Sequence, residues 1–483
     1  MADNHDQHLT AGVTRREALK RIGIGAAGIA IAACGGSSNN NGVTPTNPPA
    51  GGPTTAAGAG GAATVAPTPL PPTPAVASIG KGSSKITFWH GLGGADGATL
   101  VGMLKEYSGQ KDITVQSETY DWGLFYQKLP TSVVGKKPPD MAIMHEWAIP
   151  QFASQGLLMP SDELFFNSGL IKAEDFNPDV QAQITVDGVP QGVLFDNHGW
   201  GMYYNTDMVQ KAGLDPAKVP ANGDDWINWC LKLTTDDAGK HPDENGYNAK
   251  KTRVWGCHPS WLRPTLLSTM WQFGGGVFDP ESNKSMLDSE ASVAAVQYWH
   301  DLIYKHRVAP SPDSQLVPAD LYGANQLALM WEGSWMLNFF KDRPKLEKVT
   351  KAASLPSLSG KDKAAWMSAH VLVVPMGVSE DRLAPAKELI VWLSNNGAKW
   401  AQSGQVPART SVQNSGIIEQ MWSVSQYAKQ FQTIGKTEPP HIAITEIQAA
   451  YEPAFSAALT NTTPIKQALT DAGKLVQSVL DRG

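Results

Sequence analysis

A long stretch near the start of the chain carries no ionisable side chain, and it limits where a fold can begin. Residues 35–80 contain no Asp, Glu, Lys or Arg, and nine prolines lie between Pro45 and Pro74. Such a segment has no apolar face to bury against a core, so we predict a disordered tether over residues 34–84. The folded body is therefore expected to begin at Lys85.

The residues before this tether have the pattern of an export signal. Arg15 and Arg16 precede an apolar run from Ile22 to Ala33, which is too short to cross a bilayer as a helix. The four residues that end at Cys34 resemble the lipobox of bacterial lipoproteins, in which this Cys is lipidated. We predict a twin-arginine export signal over residues 1–33 and an extracytoplasmic protein, anchored to the cell membrane through Cys34.

Size, charge and cysteine content restrict the body further. It has about 400 residues, too many for one ordinary core, so we expect two lobes. The formal net charge of the chain is −6, which argues against nucleic acid as a partner. Cys230 and Cys257 are the only cysteines after Cys34. They either pair in an oxidising compartment or remain buried thiols, because the sequence does not give their separation.

The body alternates β-rich runs with amphipathic helical runs, which predicts an α/β fold with a parallel or mixed sheet covered by helices. Strands are expected at 86–89, 113–115, 141–144, 192–195, 254–256 and 371–374. The longer helices are expected at 95–107, 122–134, 150–155, 224–233, 264–273, 289–306, 320–340 and 384–394.

Four motifs follow one another along the body in the order seen in a known family. They are Ile-Thr-Phe-Trp-His-Gly at 86–91, Gly-Met-Tyr-Tyr-Asn-Thr-Asp at 201–207 with Ala-Gly-Leu-Asp at 212–215, Met-Trp-Glu-Gly-Ser-Trp at 330–335, and Gly-Gln-Val-Pro-Ala-Arg at 404–409. From Lys85 to the C-terminus the chain resembles extracellular solute-binding proteins of the maltose- and glycerol-3-phosphate-binding superfamily. These proteins are the capture subunits of ABC importers.

The resemblance implies an α/β, two-lobe periplasmic-binding-protein fold with a hinge and an interlobe ligand cleft. Lobe I would comprise residues 85–196 plus 348–398, and lobe II residues 200–346 plus 400–483. The implied protein is a monomer without a cofactor. It captures a small-molecule carbohydrate and delivers it to ABC permease subunits in the membrane.

Aromatic and polar residues follow the predicted strands, at the sheet edge where open α/β folds bind ligands. A sugar offers an apolar C–H face to aromatic rings and hydroxyls to carboxylates, amides and imidazoles. This mixture of residues therefore suits a neutral sugar, oligosaccharide or polyol. The candidate ligand-binding residues are Trp89, His90, Asp96, Glu146, Trp147, Asp196, Asn197, His198, Trp261, Glu332, Trp335, His370 and Arg409.

Some of these candidates have a second interpretation. Trp335 and Glu146 are favoured as ligand contacts, because relatives place a stacking Trp and a ligand-binding Glu at the positions they match. Arg409 matches a family Pro-Ala-Arg, but an Arg near a hinge also serves as a structural ion pair. His198 and His370 are either ligand contacts or satisfied buried imidazoles.

Departures from the glycerol-3-phosphate-binding branch bear on the ligand. That branch contacts its phosphate with an Arg whose position aligns with Ile444. Its paired tyrosines align with Phe125 and Gln405, and a Ser of that branch aligns with His198. A phosphate dianion requires charge-assisted donors. A glycerol-phosphate or phosphodiester ligand is therefore the less favoured alternative.

An enzyme is the other functional class that the sequence leaves open. A surface glycoside hydrolase would use Glu146 and Asp196 as its two carboxylates, at a separation the sequence does not show. The chain has no phosphate-binding Gly-Lys-Ser/Thr loop, no Gly-x-Ser-x-Gly and no His-Glu-x-x-His. The Gly-rich loop at 91–97 carries Asp96 where a dinucleotide fingerprint has Gly. We therefore favour a binding protein.

A metal site is the last alternative. His90, His145, Glu146 and His198 are expected near the mouth of the cleft. Their spacing is not that of a compact metal-binding motif, so no metal is predicted.

Overall fold

The computed structural model describes residues 74–483. The predicted export signal, Cys34 and most of the predicted tether lie outside these residues. The strands are β1 (Ala75–Ile79), β2 (Ser84–His90), β3 (Ile113–Thr119), β4 (Met141–His145), β5 (Thr185–Val186), β6 (Val189–Pro190), β7 (Val193–Asn205), β8 (Thr235–Asp236), β9 (Thr252–Val254), β10 (Phe278–Asp279), β11 (Lys284–Ser285), β12 (Leu329–Gly333), β13 (Thr350–Ala353), β14 (Ala365–Val373), β15 (Val406–Pro407) and β16 (Gly435–Lys436).

Helices lie between and after these strands. They are α1 (Ala95–Gln110), α2 (Trp122–Val134), α3 (Ile149–Ser154), α4 (Pro178–Gln183), α5 (Thr206–Lys211), α6 (Gly223–Leu233), α7 (Leu262–Phe273), α8 (Glu290–Tyr304), α9 (Pro318–Gly323), α10 (Leu337–Lys341), α11 (Pro344–Val349), α12 (Glu380–Asn395), α13 (Gly397–Trp400), α14 (Thr410–Gln413), α15 (Val424–Ile434), α16 (Ile444–Leu459) and α17 (Ile465–Leu480). Across residues 74–483 we find no helix with the length and apolarity needed to cross a bilayer.

The main sheet has the strand order β1-β3-β2-β4-β14-β7-β12. β2 is parallel to β3 and to β4, with α1 and α2 as the connections, which confirms the predicted βαβ arrangement. Helix α2 begins at the predicted residue because the carboxylate of Asp121 accepts hydrogen bonds from the backbone N–H groups of Gly123 and Leu124. β14 enters the sheet between β4 and β7 and is antiparallel to both.

The first strand begins inside the predicted tether. β1 pairs antiparallel with β3, with Ala75 opposite Thr119 and Ile79 opposite Val115. The predicted end of the tether at residue 84 is therefore too late. This uncharged segment gains its order from backbone hydrogen bonds to a sheet edge and from the buried side chain of Ile79.

Strand β7 is the longest strand among the described residues and is buried along all 13 residues. Its first part, residues 193–199, pairs with β14, and its second part, residues 200–205, pairs with β12 and β13. The sequence predicted only 192–195, because the polar residues 196–198 interrupt the apolar run. β12 and β13 lie on opposite sides of β7 and both pair with its residues 202–204, although the predicted division assigns residues 348–398 to lobe I and 200–346 to lobe II.

The helix predicted at 320–340 is wrong. The segment forms α9, then β12, then a short 3₁₀ turn and α10. Asn325 has a φ of 56°, which ends the helical segment, and Leu329 to Trp331 are fully buried opposite Tyr204 to Met202 of β7. A short apolar run of this kind fits a buried strand as well as a helix. The strand predicted at 254–256 is also displaced, since β9 ends at Val254.

Candidate functional site

Three neighbouring strands bring three histidines together. His370 of β14 lies opposite His145 of β4 on one side and opposite Asp196 of β7 on the other. Residues opposite each other in an antiparallel pair point to the same face, and so do residues two apart on one strand, such as Asp196 and His198. The ring centroids of His198 and His370 are 4.1 Å apart, and that of His145 lies 5.1 Å from His370. We call His145, His198 and His370 the histidine cluster.

Asp196 holds two of these rings. Its Oδ1 accepts hydrogen bonds from Nδ1 of His198 and Nδ1 of His370, both at 3.0 Å. Its Oδ2 accepts from Nε1 of Trp400 at 2.6 Å. Burial opposes ionisation of this carboxyl, but His370 and the hydrogen bonds from both histidines hold the pKa of Asp196 well below its usual range. Asp196 is thus a buried carboxylate, both oxygens of which accept hydrogen bonds from neighbouring side chains.

The pKa values of the three imidazoles in the cluster are shifted in opposite directions. Burial, followed by the charge of His370, lowers the pKa of His198 to about 4 and lowers that of His145 as well. Burial also acts against a charged His370, but Asp196 outweighs it and raises the pKa of His370. His370 is therefore the ring that takes up a proton most readily, while the other two stay neutral.

Aromatic rings surround the cluster. Trp122 lies 4.3 Å from His145 between ring centroids, and Trp147 stacks on the same imidazole at 5.4 Å. Trp335 and Trp366 meet His198 edge to face at 6.1 Å and 5.9 Å. We call Trp122, Tyr126, Trp147, Trp335 and Trp366 the aromatic wall. Its members come from four separate segments, with Trp122 and Tyr126 both on α2, so the assembled fold is needed to build it.

A glycine makes room for Trp122. A Cβ placed on Gly91 would lie 2.1–2.5 Å from carbons of the Trp122 ring. No side chain fits at that distance, so the indole lies against the bare backbone at the end of β2. Gly91, the last residue of the motif at 86–91, is therefore required because any side chain there would overlap the Trp122 ring.

Two buried carboxylic acids stand beside the wall. Glu146 Oε2 accepts hydrogen bonds from Ser368 Oγ at 2.5 Å and from the backbone N–H of Ala369 at 2.7 Å. Its Oε1 has no partner among the described residues. Glu332 Oε2 accepts from Nε1 of Trp261 at 3.1 Å. Burial raises the pKa of each acid to about 7, so both are poised to donate or to accept hydrogen bonds near neutral pH.

Further predicted residues lie close by. His90 Nε2 is 2.8 Å from Ser117 Oγ, and Asp96 accepts a hydrogen bond from Gln405 Nε2 at 3.2 Å. Burial and then the charge of His370 lower the pKa of His90 to about 4. Asn197 Oδ1 is buried and has no partner among residues 74–483. His90 and Asp96 belong to the same polar floor as the histidine cluster. Asn197 lies between Asp196 and His198 on β7, so its side chain points to the opposite face of that strand.

Two candidates point elsewhere. Trp89 packs on Tyr120 with 4.8 Å between ring centroids, on the face of its strand that alternates away from the cluster. Arg409 forms an ion pair with Asp175, at 3.4 Å between Nη1 and Oδ2, and donates through Nε to Ser394 Oγ at 2.9 Å. The structure therefore favours the ion-pair interpretation of Arg409 and gives Trp89 a packing role.

Comparison with known proteins settles the family. Residues 93–400 match the family described as bacterial extracellular solute-binding protein. The chain belongs to this family. It is 27% identical over 376 residues to the arabinooligosaccharide-binding protein of Bacillus subtilis (strain 168), covering 73% of this chain and 80% of that relative.

Solved structures of similar fold agree with this assignment. The maltose-bound MalE3 of T. maritima gives a TM-score of 0.71 at 22% identity, over 82% of this chain and 100% of that one. The GacH receptor of Streptomyces glaucescens GLA.O gives 0.70 at 19% identity, over 83% and 99%. The predicted two-lobe solute-binding fold is thereby confirmed.

The sequence did not single out three members of this solute-binding protein's aromatic wall. Trp122 and Tyr126 were assigned only to a helix, and Trp366 to none. Tyr126 Oη lies 2.7 Å from His145 Nδ1, whereas the neighbouring Phe125 is fully buried in the core. The i, i+4 spacing of Trp122 and Tyr126 was the available signal, because it places both on one face of α2.

The cation nearest the wall of this solute-binding protein is already paired. The guanidinium of Arg263 lies 4.8 Å from the Trp147 ring and forms a buried ion pair with Glu438. Glu438 also accepts hydrogen bonds from Trp366 Nε1 at 3.1 Å and from Tyr451 Oη at 3.2 Å. Arg263 is thus held by a carboxylate and does not offer an uncompensated charge to an anion.

The two cysteines of the described body lie together. Cys230 and Cys257 are both buried and both free thiols in this structure. Burial and then the neighbouring Cys257 raise the pKa of Cys230. The sequence left open whether these cysteines pair or remain buried thiols, and the structure places them as neighbours.

Proposed function

We propose that this protein is the lipid-anchored substrate-binding component of an ABC importer. It captures a neutral sugar, oligosaccharide or polyol in the cleft between its two lobes and delivers it to a membrane permease. The observation that carries the proposal is the aromatic wall beside the buried Glu146 Oε1, which has no hydrogen-bond partner among the described residues.

The unpartnered carboxyl oxygen beside the wall suits a hydroxyl group. Glu146 Oε1 is a buried acceptor without a donor among the described residues. A buried polar atom left unsatisfied costs about 1–3 kcal/mol, so a ligand hydroxyl that donates to it regains this free energy. The indoles of Trp122, Trp147 and Trp335 supply the flat apolar surface that the C–H face of a sugar ring requires.

The relatives support the same chemical class. The Bacillus subtilis relative is named for arabino-oligosaccharides, and the two similar structures hold maltose and acarbose. The pairing of Arg263 with Glu438 and the buried, apolar Ile444 argue against a phosphate group as the recognised part of the ligand.

Closure on the ligand follows from the proposed hinge. We place the division between the lobes within β7, near Gly199, where its partner changes from β14 to β12 and β13. A ligand held by side chains of both lobes binds the closed state better than the open state, and this difference drives closure.

The place of action follows from the family and the N-terminal sequence. Family members are extracellular solute-binding proteins. Lipidation at Cys34 after export would keep a monomeric body close to its permease at high effective concentration. Export by the twin-arginine route is supported by Arg15 and Arg16.

We also propose that the protein binds without turnover. The hydrolase alternative needs Asp196 and Glu146 as an active carboxylate pair. Both oxygens of Asp196 already accept hydrogen bonds, from His198, His370 and Trp400, which disfavours this carboxylate as a nucleophile or as a general base for water.

A thermal-shift screen tests the proposal. The purified protein is incubated with neutral mono- and oligosaccharides, polyols and glycerol phosphates, and each ligand that raises the melting temperature is titrated by calorimetry. Trp335→Ala should weaken binding of that ligand at least about tenfold, because a stacked aromatic contributes about 0.5–1.5 kcal/mol beyond its buried area. Trp422→Phe is the control, since Trp422 packs on Tyr203 and Phe340 away from the wall.

The same samples are assayed for released products. Saturable binding with intact ligand supports the proposed function. Hydrolysis at enzymatic rates, or stabilisation by glycerol phosphates and by no neutral ligand, would overturn it.

A further inference from the structure

We propose that His145, His198 and His370 form a binding site for a divalent transition-metal ion of the Zn²⁺ class. The site goes beyond capture of a neutral solute and is independent of which solute is bound. The proposal rests on which nitrogen of each imidazole already forms a hydrogen bond, and on the partner in that hydrogen bond.

One nitrogen on each imidazole already has a partner. Nδ1 of His198 and Nδ1 of His370 both bond to Asp196, and Nδ1 of His145 bonds to the hydroxyl of Tyr126. The nitrogen left on each ring is therefore Nε2, for which no hydrogen-bond partner is found among the described residues. Each of the three residues offers a ring nitrogen within 4.8 Å of those of the other two.

The partners of Nδ1 are those of a metal-binding histidine. Such a histidine almost always donates its second ring N–H to a carboxylate, carbonyl or water, which fixes the tautomer and the ring orientation. Asp196 accepts from two of the three rings and is itself fixed by Trp400. The Tyr126 hydroxyl oxygen accepts as well as donates, so it also accommodates the tautomer of His145 that presents Nε2 to a metal.

The ligand set selects the metal. Imidazoles suit Zn²⁺, Cu²⁺ and Ni²⁺, whereas Ca²⁺ and Mg²⁺ prefer oxygen. Three histidines with a fourth open position make a familiar zinc arrangement. With zinc–nitrogen bonds of about 2.1 Å, tetrahedral geometry separates the nitrogens by about 3.4 Å. Ring nitrogens of the three residues lie within 4.8 Å of one another, so zinc binding requires the rings to approach and the stacked rings of His198 and His370 to tilt toward the ion.

Electrostatics agrees with a bound cation. The carboxylate of Asp196 lies directly behind two of the rings, and Asp96 and Glu146 act on His370 through their charge. The nearest guanidinium, that of Arg263, is neutralised by Glu438. A divalent ion at the cluster would therefore be attracted by nearby carboxylates, and the one guanidinium close to it is already neutralised by an ion pair.

Asparagine variants give the sharpest test. The amide nitrogen of Asn takes the place of Nδ1, so His198→Asn and His370→Asn can keep the hydrogen bond to Asp196 and remove only Nε2. The matched control is His306→Asn, which removes a histidine outside the cluster. All proteins are untagged and carry H5Q and H8Q, so that the N-terminal histidines do not bind metal.

The measurement is zinc binding by the metal-free protein, followed by calorimetry and by competition with a fluorescent chelator. We expect one Zn²⁺ per chain, at least about 100-fold weaker binding in either Asn variant, and about 10–100-fold weaker binding in Asp196→Asn. Cobalt should give the intense visible absorption of a tetrahedral site. Circular dichroism confirms that each variant is folded, and His145→Gln provides a third ligand deletion if one variant is not.

Each outcome of the zinc titrations either supports the proposed metal site or overturns it. One-to-one binding that His306→Asn retains and the cluster variants lose supports the site. No zinc binding by the parent protein, or equal binding by the parent and by folded cluster variants, overturns it. Because no sugar is present, either result leaves the proposed solute binding to be judged by its own experiment.

Discussion

The indole of Trp335 lies directly over the α-carbon of Gly333. A Cβ built on Gly333 would come within 2.2–2.3 Å of three ring carbons of Trp335. The ring also meets Trp200 at 5.9 Å and His198 at 6.1 Å between centroids. The position of the indole in the aromatic wall therefore depends on the absence of a side chain two residues earlier.

Gly333→Ala should displace the Trp335 ring and lower affinity for the solute found in the screen by about tenfold or more. A misplaced stacking ring loses the roughly 0.5–1.5 kcal/mol of its aromatic contact and part of the apolar area that it buries against the ligand. Calorimetry with parent and variant measures the change. The matched control is Gly102→Ala in helix α1, where a Cβ meets nothing within 4 Å. Gly102→Ala should keep full affinity and stabilise the protein by up to about 1 kcal/mol. Unchanged affinity in Gly333→Ala would exclude this dependence.

Glu332 should make stability fall as pH rises through the weakly acidic range. Burial raises its pKa in the folded protein to about 7, against 4.5 for an unperturbed Glu. Between these values the folded state holds a proton that the unfolded state has released, so raising the pH favours unfolding. The full contribution is present below about pH 4.5 and is lost by about pH 7, with a size of roughly 3 kcal/mol.

Chemical denaturation of the parent and of Glu332→Gln at several pH values checks this. Because the variant cannot titrate, its unfolding free energy should improve relative to the parent as pH rises through this window. The exposed Glu281→Gln is the control and should follow the parent. A parent-to-variant difference that stays constant with pH would contradict the prediction.

Cys230 and Cys257 should form a disulfide when the protein is produced in an oxidising compartment, because the two thiols are neighbours. Closing the loop between them should stabilise the fold by about 3–4 kcal/mol in the chain-entropy description. Alkylation under denaturing, non-reducing conditions followed by mass spectrometry reads the outcome. Two alkylated thiols would show that they remain free, and C230S/C257S is the control for the change in melting temperature.

Cys34→Ala should release the protein from the membrane and leave ligand affinity unchanged, because the predicted anchor lies outside the folded body. Fractionation of producing cells and calorimetry on the released protein measure the two effects separately. Retention in the membrane fraction would place the anchor elsewhere, and a loss of affinity would show that anchor and binding body are coupled.

Local patterns in the sequence predicted local structure well. The helix predicted over residues 122–134 is α2 with the same bounds, and the hydrogen bonds to the Asp121 carboxylate explain why it begins there. The segment 320–340 failed because a buried apolar run has no periodicity that separates helix from strand. The polar residues Asp196 to His198 likewise hid the true length of β7, since a strand carrying the site's own hydrogen bonds does not look like a core strand.

The histidine cluster shows what the sequence could not reveal. The sequence places His145 and His198 near the ends of predicted strands and offers His370 as a separate candidate. β14 pairs between β4 and β7 although about 160 residues of chain separate it from the end of β7. Its register sets His370 between His145 and Asp196. That neighbourhood depends on pairing between segments more than 170 residues apart, which no local pattern records.

The uninterrupted run of β7 has a consequence for dissecting this protein. A fragment that ends within β7, where we place the division between the lobes, leaves part of a fully buried strand without its backbone partners. Exposed strand edges of this kind associate with one another. We therefore expect that a fragment cut within β7 associates through this exposed edge and that both lobes must be produced in one chain to fold.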